Sequence, residues 1–193
     1  DVDLEAELDS LTDEGDIEDR FYEFLSFGTA GMRGKLGVGT NRMNNVMVAR
    51  ATYGFAKQML DESTANADKG VAISYDSRIK SDEFAKTAAC VLAAQGIHSY
   101  LYESLRPTPM LSFAVRYLGC AGGIMITASH NPAEYNGYKV YGNDGAQLAN
   151  EAADAVVDVI DNIDNYFDIP KMDYKEALAK ALLEIIGKDV DEA

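Results

Sequence analysis

A serine able to carry a transferred group stands at position 129, inside Thr127-Ala128-Ser129-His130-Asn131-Pro132. The apolar run Gly123 to Ile126 directly precedes this segment and reads as a buried strand, and strand ends are where α/β sheets present chemistry. Pro132 biases Asn131 toward extended backbone, which keeps the loop from winding on into helix and leaves Ser129 on a stiff, exposed turn. Taken alone, such a hexapeptide is a set of ordinary turn formers. Two cation-bearing segments change its meaning. Tyr135-Asn136-Gly137-Tyr138-Lys139 turns into a strand that can return an amine beside the serine. Phe27-Gly28-Thr29-Ala30-Gly31-Met32-Arg33-Gly34 holds an arginine among glycines, whose bare backbone amides can approach an anion closely. A hydroxyl with two cations in reach suits phosphoryl transfer, which is mainly a problem of position and charge. Arg33 can fork two hydrogen bonds onto phosphoryl oxygens, and Lys139 offers a compact charge and, with a depressed pKa, a proton acceptor.

Other reactive side chains are weighed beside these. His130 is too close in the chain to relay a proton from Ser129 easily, so two roles stay open: contact with the substrate hydroxyl or phosphate, or fixing the loop. In Ser74-Tyr75-Asp76-Ser77-Arg78, Asp76 reads as a helix cap or a partner of Arg78 ahead of a substrate contact. Arg106-Pro107-Thr108-Pro109 suits a helix start with proline in its first turn. His98 lies in an apolar strand and reads as a satisfied core residue. Cys90 and Cys120 sit among apolar or small residues and read as inert buried thiols, which fits a reducing, cytoplasmic setting.

Spacing removes two rival chemistries. Gly34-Lys35 is not a nucleotide phosphate loop, because Leu36 stands where a Ser or Thr should hold Mg²⁺ and the upstream glycine spacing is absent. Ala128 and His130 flank Ser129 without the glycines of a hydrolase nucleophile elbow.

The elements that must position these residues follow from periodicity. Asp3 to Leu25 reads as acidic amphipathic helix broken at Gly15, and Phe27 to Gly39 as loop and irregular strand. A helix is expected from Asn44-Asn45 to the Asp61 to Ser63 region. Strand and helix then alternate: Val71 to Ile73, Ser81 to Gly96, His98 to Leu101, Pro107 to Leu118, Gly123 to Thr127. That order predicts an α/β fold, a three-layer α/β/α sandwich around a mixed, mostly parallel sheet. Gly137 to Tyr141 is a further strand, with Asn143-Asp144-Gly145 turning back to give an antiparallel edge. Ala152 to Ile163 and Tyr174 to Ile186 are helical by spacing, interrupted at Pro170. The expected division is 1–165 as one domain with a helical N-terminal extension, and 166–193 as helical linker or the start of a following domain.

Composition agrees with a phosphate site of local rather than global charge. The chain has 193 residues, 47% of them hydrophobic, enough for a real core. Asp and Glu outnumber Lys and Arg by 32 to 17, a formal charge of -15, which opposes nucleic-acid binding. An anionic ligand then needs a few converging cations. No apolar run approaches the roughly 18 residues of a membrane span, and the N-terminus is acidic where a signal peptide is basic and then apolar. The start at Asp1 suggests a piece of a longer protein.

With the three motifs in this order, the chain resembles the N-terminal, catalytic-serine domain of the α-D-phosphohexomutase superfamily, the phosphoglucomutases and phosphomannomutases. The likeness runs from about Arg20 to Gln147 and covers the first of the family's four domains. It implies that Ser129 is the residue phosphorylated in the active enzyme, and that Arg33 and Lys139 surround that phosphate. Thr29, His130 and Asn131 join them as implied phosphate-binding residues. The implied reaction passes phosphate from Ser129 to a hexose monophosphate, forming a sugar bisphosphate that also serves as activator, and moves phosphate between C1 and C6. Glucose is the expected sugar, with mannose, pentose or a non-catalytic sugar-phosphate-binding role as alternatives. Mg²⁺ is implied as a neutraliser of the phosphoserine, taking one ligand from Ser129 through its phosphate and the rest from an aspartate-rich loop not found here. The implied partners are a phosphosugar and the remaining domains, without which this piece is expected to be inactive.

Overall fold

The structure is a computed structural model that describes residues 2–28 and 31–193. Two short helices, α1 (Val2–Ser10) and α2 (Glu14–Phe21), precede strand β1 (Met32–Lys35) and the long helix α3 (Asn45–Glu62). A helical turn, α4 (Asn66–Lys69), leads into β2 (Val71–Tyr75), α5 (Ser81–Ala94), β3 (Ser99–Tyr102), α6 (Thr108–Tyr117) and β4 (Gly122–Ile126). Then come β5 (Tyr135–Gly142), α7 (Asn150–Asp161), a 3₁₀ turn at Tyr166–Asp168, α8 (Tyr174–Ala179), β6 (Leu183–Ile186) and α9 (Lys188–Asp191).

The six strands form one sheet in the order β1-β5-β4-β2-β3-β6. β4, β2, β3 and β6 run parallel, while β5 is antiparallel to both β4 and β1. β4 is buried at every position and β2 at all but Tyr75, as their unbroken apolar runs require of strands covered on both faces. One face carries α3 and α5, with α7 packed on α3; α6 covers the other, with α9 against it. The three-layer sandwich with its mostly parallel sheet is therefore present, with unequal outer layers. Phe55, Phe84, Ile73, Leu92, Ile124 and Ile126 fill the thicker side with almost no exposure. Each such side chain contributes about 1.5–3 kcal/mol when fully buried.

Local chemistry explains most boundaries. The Asn44 side chain accepts from the amides of Val46 and Met47, capping α3, and its amide nitrogen donates to the carbonyls of Gly37 and Gly39, each at 2.9 Å. One buried asparagine thus ties the loop after β1 to the helix that covers the sheet. α6 begins behind Pro107 with Pro109 in its first turn, where a missing amide hydrogen costs nothing. The 143–145 turn reverses the chain, but the return strand is a single bridge between Tyr141 and Gln147.

Two expectations are corrected. The N-terminal helix breaks at 11–13, where Asp13 accepts from the Asp16 amide and caps α2; Gly15 lies inside that first turn, whose amides have no intrahelical acceptor to lose. The helix expected from Tyr174 to Ile186 stops at Ala179, and Ala181 takes a φ of 54°. Leu183 to Ile186 then pair in parallel register with Ser99 to Tyr102. The segment 166–193, expected as helical linker or the start of another domain, therefore supplies the last strand of the same sheet. Its apolar spacing is helical, and the open edge of β3 overrides it.

Candidate phosphoryl site

β4 ends at Ile126, and the chain leaves the sheet through Thr127 and Ala128, both buried, to an exposed Ser129 and His130. The Thr127 hydroxyl oxygen accepts from the Ser129 amide at 2.9 Å, and the Ala128 carbonyl accepts from the Asn131 amide at 3.1 Å. These short bonds fold the loop into a tight turn. Ser129 sits at its apex with φ +56°, the left-handed basin that non-glycine residues occupy at a cost of about 1–3 kcal/mol. Strain at an exposed hydroxyl, directly after a buried parallel strand, marks the position in the fold where chemistry is usually placed.

The cations arrive by way of β1 and β5. Lys139 lies opposite Met125 of β4, and its Nζ is 2.9 Å from Ser129 Oγ, donating to it. Arg33 lies opposite Gly137 of β5, so strand alternation puts Arg33 and Lys139 on one face of the sheet, two residues apart. Arg33 Nη1 donates to Asn131 Oδ1 at 2.7 Å. Partial burial lowers the Lys139 pKa first and the positive Arg33 lowers it further, with Asp76 pulling the other way. An amine inclined to lose its proton, in contact with a hydroxyl, can accept a proton from it.

Glycine makes the close approach possible. A Cβ on Gly137 would stand 2.6 Å from the Thr127 carbonyl and 3.0 Å from that of Met32. Gly31, at φ +80°, would place one 1.8 Å from the Tyr138 carbonyl. The strands bearing both cations can therefore close on the serine loop only with bare backbone at these two points.

The structure brings Ser129, Asn131, Arg33 and Lys139 together, with His130 exposed beside them. Thr29 lies outside the described residues. Asp76 accepts from the Arg78 amide at 3.0 Å and the Ser81 hydroxyl at 2.9 Å, and faces Arg78 Nε at 3.5 Å. That is the pairing with Arg78 expected of it; the other expectation, a helix cap, is not met, because α5 starts behind Lys80 without a side-chain cap. What sequence reasoning missed is the reach of Arg78, whose guanidinium donates to four carbonyls of the serine loop. Its only signal was a position just past the end of β2, beside the strand that carries the loop. His98 is half-buried against Tyr100, and Cys120 is buried with its thiol pushed up to about 12 by desolvation. Among the described residues no group of three or more His, Cys, Asp or Glu side chains could hold a metal. The described residues therefore supply no such cluster for Mg²⁺ by themselves.

Fold and loop together define a three-layer α/β/α domain with a strained serine at the end of a central strand. Residues 25–167 match the family described as phosphoglucomutase/phosphomannomutase, alpha/beta/alpha domain I. The chain belongs to this family. It is 43% identical over 170 residues to a phosphoglucomutase of Staphylococcus epidermidis, an alignment covering 87% of this chain and 30% of the relative. A Staphylococcus aureus phosphoglucomutase is 47% identical over 154 residues, covering 79% and 27%. A putative phosphomannomutase from Thermus thermophilus superposes with a TM-score of 0.64 at 34% identity, covering 72% of this chain and 30% of that structure. The chain thus spans about 30% of the length of such relatives. No helix among the described residues is long and apolar enough to cross a membrane.

Proposed function

We propose that this chain is the phosphoserine-bearing first domain of a phosphohexomutase that interconverts hexose 1-phosphate and hexose 6-phosphate, with glucose as the sugar. The observation that carries the proposal is the 2.9 Å contact between Lys139 Nζ and Ser129 Oγ, with Arg33 brought to the same turn through Asn131. Family membership supports the reaction class, and the phosphoglucomutase names of relatives at 43 to 47% identity support glucose.

In this reading Ser129 Oγ attacks a phosphorus of a sugar bisphosphate. The Oγ–P bond forms as the sugar O–P bond breaks, the serine proton passes to the neutral amine of Lys139, and the departing sugar oxygen takes a proton from water to leave as a hydroxyl. In the reverse half-reaction the sugar hydroxyl gives its proton to water as it takes the phosphoryl group, the Oγ–P bond breaks, and Lys139 returns a proton to the departing Ser129 oxygen. Arg33 and the Asn131 amide steady the phosphoryl oxygens, and Thr29 and His130 complete the phosphate contacts. A phosphoserine carries about -1.5 to -2 charges, so the two cations matter most once Ser129 is loaded. Mg²⁺, when bound, would offset the same charge, and its protein ligands would come from residues beyond this chain. The phosphosugar and the remaining domains complete the proposed partners, in a cytoplasmic setting.

The test is incubation with glucose 1,6-bisphosphate followed by intact-mass measurement. The complete enzyme containing this chain should gain one phosphoryl group and turn over glucose 1-phosphate. Ser129→Ala should do neither while keeping its thermal transition. A Ser129→Ala enzyme that retained a substantial part of wild-type turnover would remove the nucleophile assigned here.

A further inference from the structure

We propose that Arg78 is a positioning residue of the reaction: its guanidinium acts as a clasp on the backbone of the serine loop and holds Ser129 in its strained conformation. This rests on the mutase reading of the site for its catalytic consequence, though not for its structural content. Nη2 donates to the carbonyls of Ser129 at 2.8 Å and Asn131 at 2.7 Å. Nη1 donates to those of Pro132 and Tyr135, each at 3.0 Å. Four carbonyls spread over seven residues thus converge on one planar group, from the apex of the turn to the first residue of β5. The clasp is anchored on its own side. Asp76 faces Arg78 Nε, accepts from the Arg78 backbone amide, and is itself held by the Ser81 hydroxyl and by its own backbone amide, which donates to the Ile126 carbonyl at the end of β4.

The arrangement explains how a left-handed serine persists on an exposed loop. Local turn bonds alone allow the backbone to relax, whereas a residue in a sparsely populated basin survives only where its surroundings over-determine it. With its forks directed at carbonyls, the Arg78 charge is spent on the loop, and Arg33 and Lys139 remain as the cations of the phosphate. Loss of the clasp should let Ser129 Oγ drift from Lys139, and a misplacement of about 1 Å can cost about 10²-fold in rate. Substrate binding, carried mostly elsewhere, should change little.

The discriminating variants are Arg78→Lys and Arg78→Met in the complete enzyme. Lysine keeps the charge but cannot bridge four carbonyls with a planar fork. Both variants should lower kcat by about 10²-fold with KM nearly unchanged, and ¹⁵N relaxation should show new mobility of the 129–131 amides with the rest of the sheet unaffected. Near-wild-type kcat in Arg78→Lys, or an unchanged loop in either variant, would overturn the proposal. Should Arg78→Met fail to fold, Asp76→Asn supplies the second measurement: it loosens the anchor and should mobilise the same amides, and an unmoved loop there counts against the clasp. If wild-type enzyme shows no mutase turnover, the functional reading fails, while loop mobility still decides the role of Arg78.

Discussion

The residue whose titration should report on the site is Lys139. Burial and the positive Arg33 both disfavour its ammonium, and Asp76 partly restores it. If the neutral amine is the form that accepts the serine proton, kcat/KM rises with pH through this depressed pKa. Arg33→Gln removes a repelling charge, so the Lys139 pKa climbs and the rising limb moves to higher pH, beyond any loss in overall rate. A limb that stays in place would exclude Lys139 as the titrating base. For stability, a folded pKa below the unfolded value means that Lys139 opposes folding at lower pH, and the penalty fades as pH rises toward the ordinary lysine range. Most of this was legible beforehand, because Ser129, Arg33 and Lys139 each carry their chemistry in their type and sit beside telling neighbours. Arg78 was not, since a guanidinium that serves backbone carbonyls leaves no pattern in the side chains it serves.

Among the elements, the antiparallel pairing of β1 with β5 governs how closely the cations approach the loop. Gly137→Ala should press its new Cβ against the Thr127 carbonyl, lowering Tm and displacing the turn that follows, with activity lost out of proportion to stability. A variant with unchanged Tm would show that the contact can relax. Asn44→Ala removes a cap worth about 0.5–2 kcal/mol and leaves two further carbonyls without their donor, so a fall in Tm is expected, measurable by thermal denaturation. The strands and helices from Asn45 to Tyr141 were readable because long apolar periods and glycine or proline punctuation agree there. The stretch from Tyr174 to Ile186 was misread because Leu182, Leu183 and Ile186 keep helical spacing, and the buried Leu183 and Ile186, three apart, show no two-residue alternation. Only the neighbouring strand, separated by about eighty residues of chain, settles whether helix or strand forms.

For the molecule as a whole, β6 and α9 close the side of the sheet away from the serine. The Arg106 guanidinium meets both carboxylate oxygens of Asp191, so the loop leading into α6 is tied to the last helix. Ending the chain at Lys180 should bare the edge of β3 and lower both Tm and solubility, as seen in thermal scans and light scattering. The left-handed serine has a different kind of consequence. Glycine is the residue most at ease at φ +56°, and replacing a strained side chain there is expected to stabilise the fold by relieving about 1 kcal/mol. Ser129→Gly should accordingly melt higher than wild type while accepting no phosphate. Any breeding of this domain for heat tolerance alone would drift toward a sturdier and silent descendant, so a screen that does not also assay turnover will reward the loss of the one hydroxyl that matters.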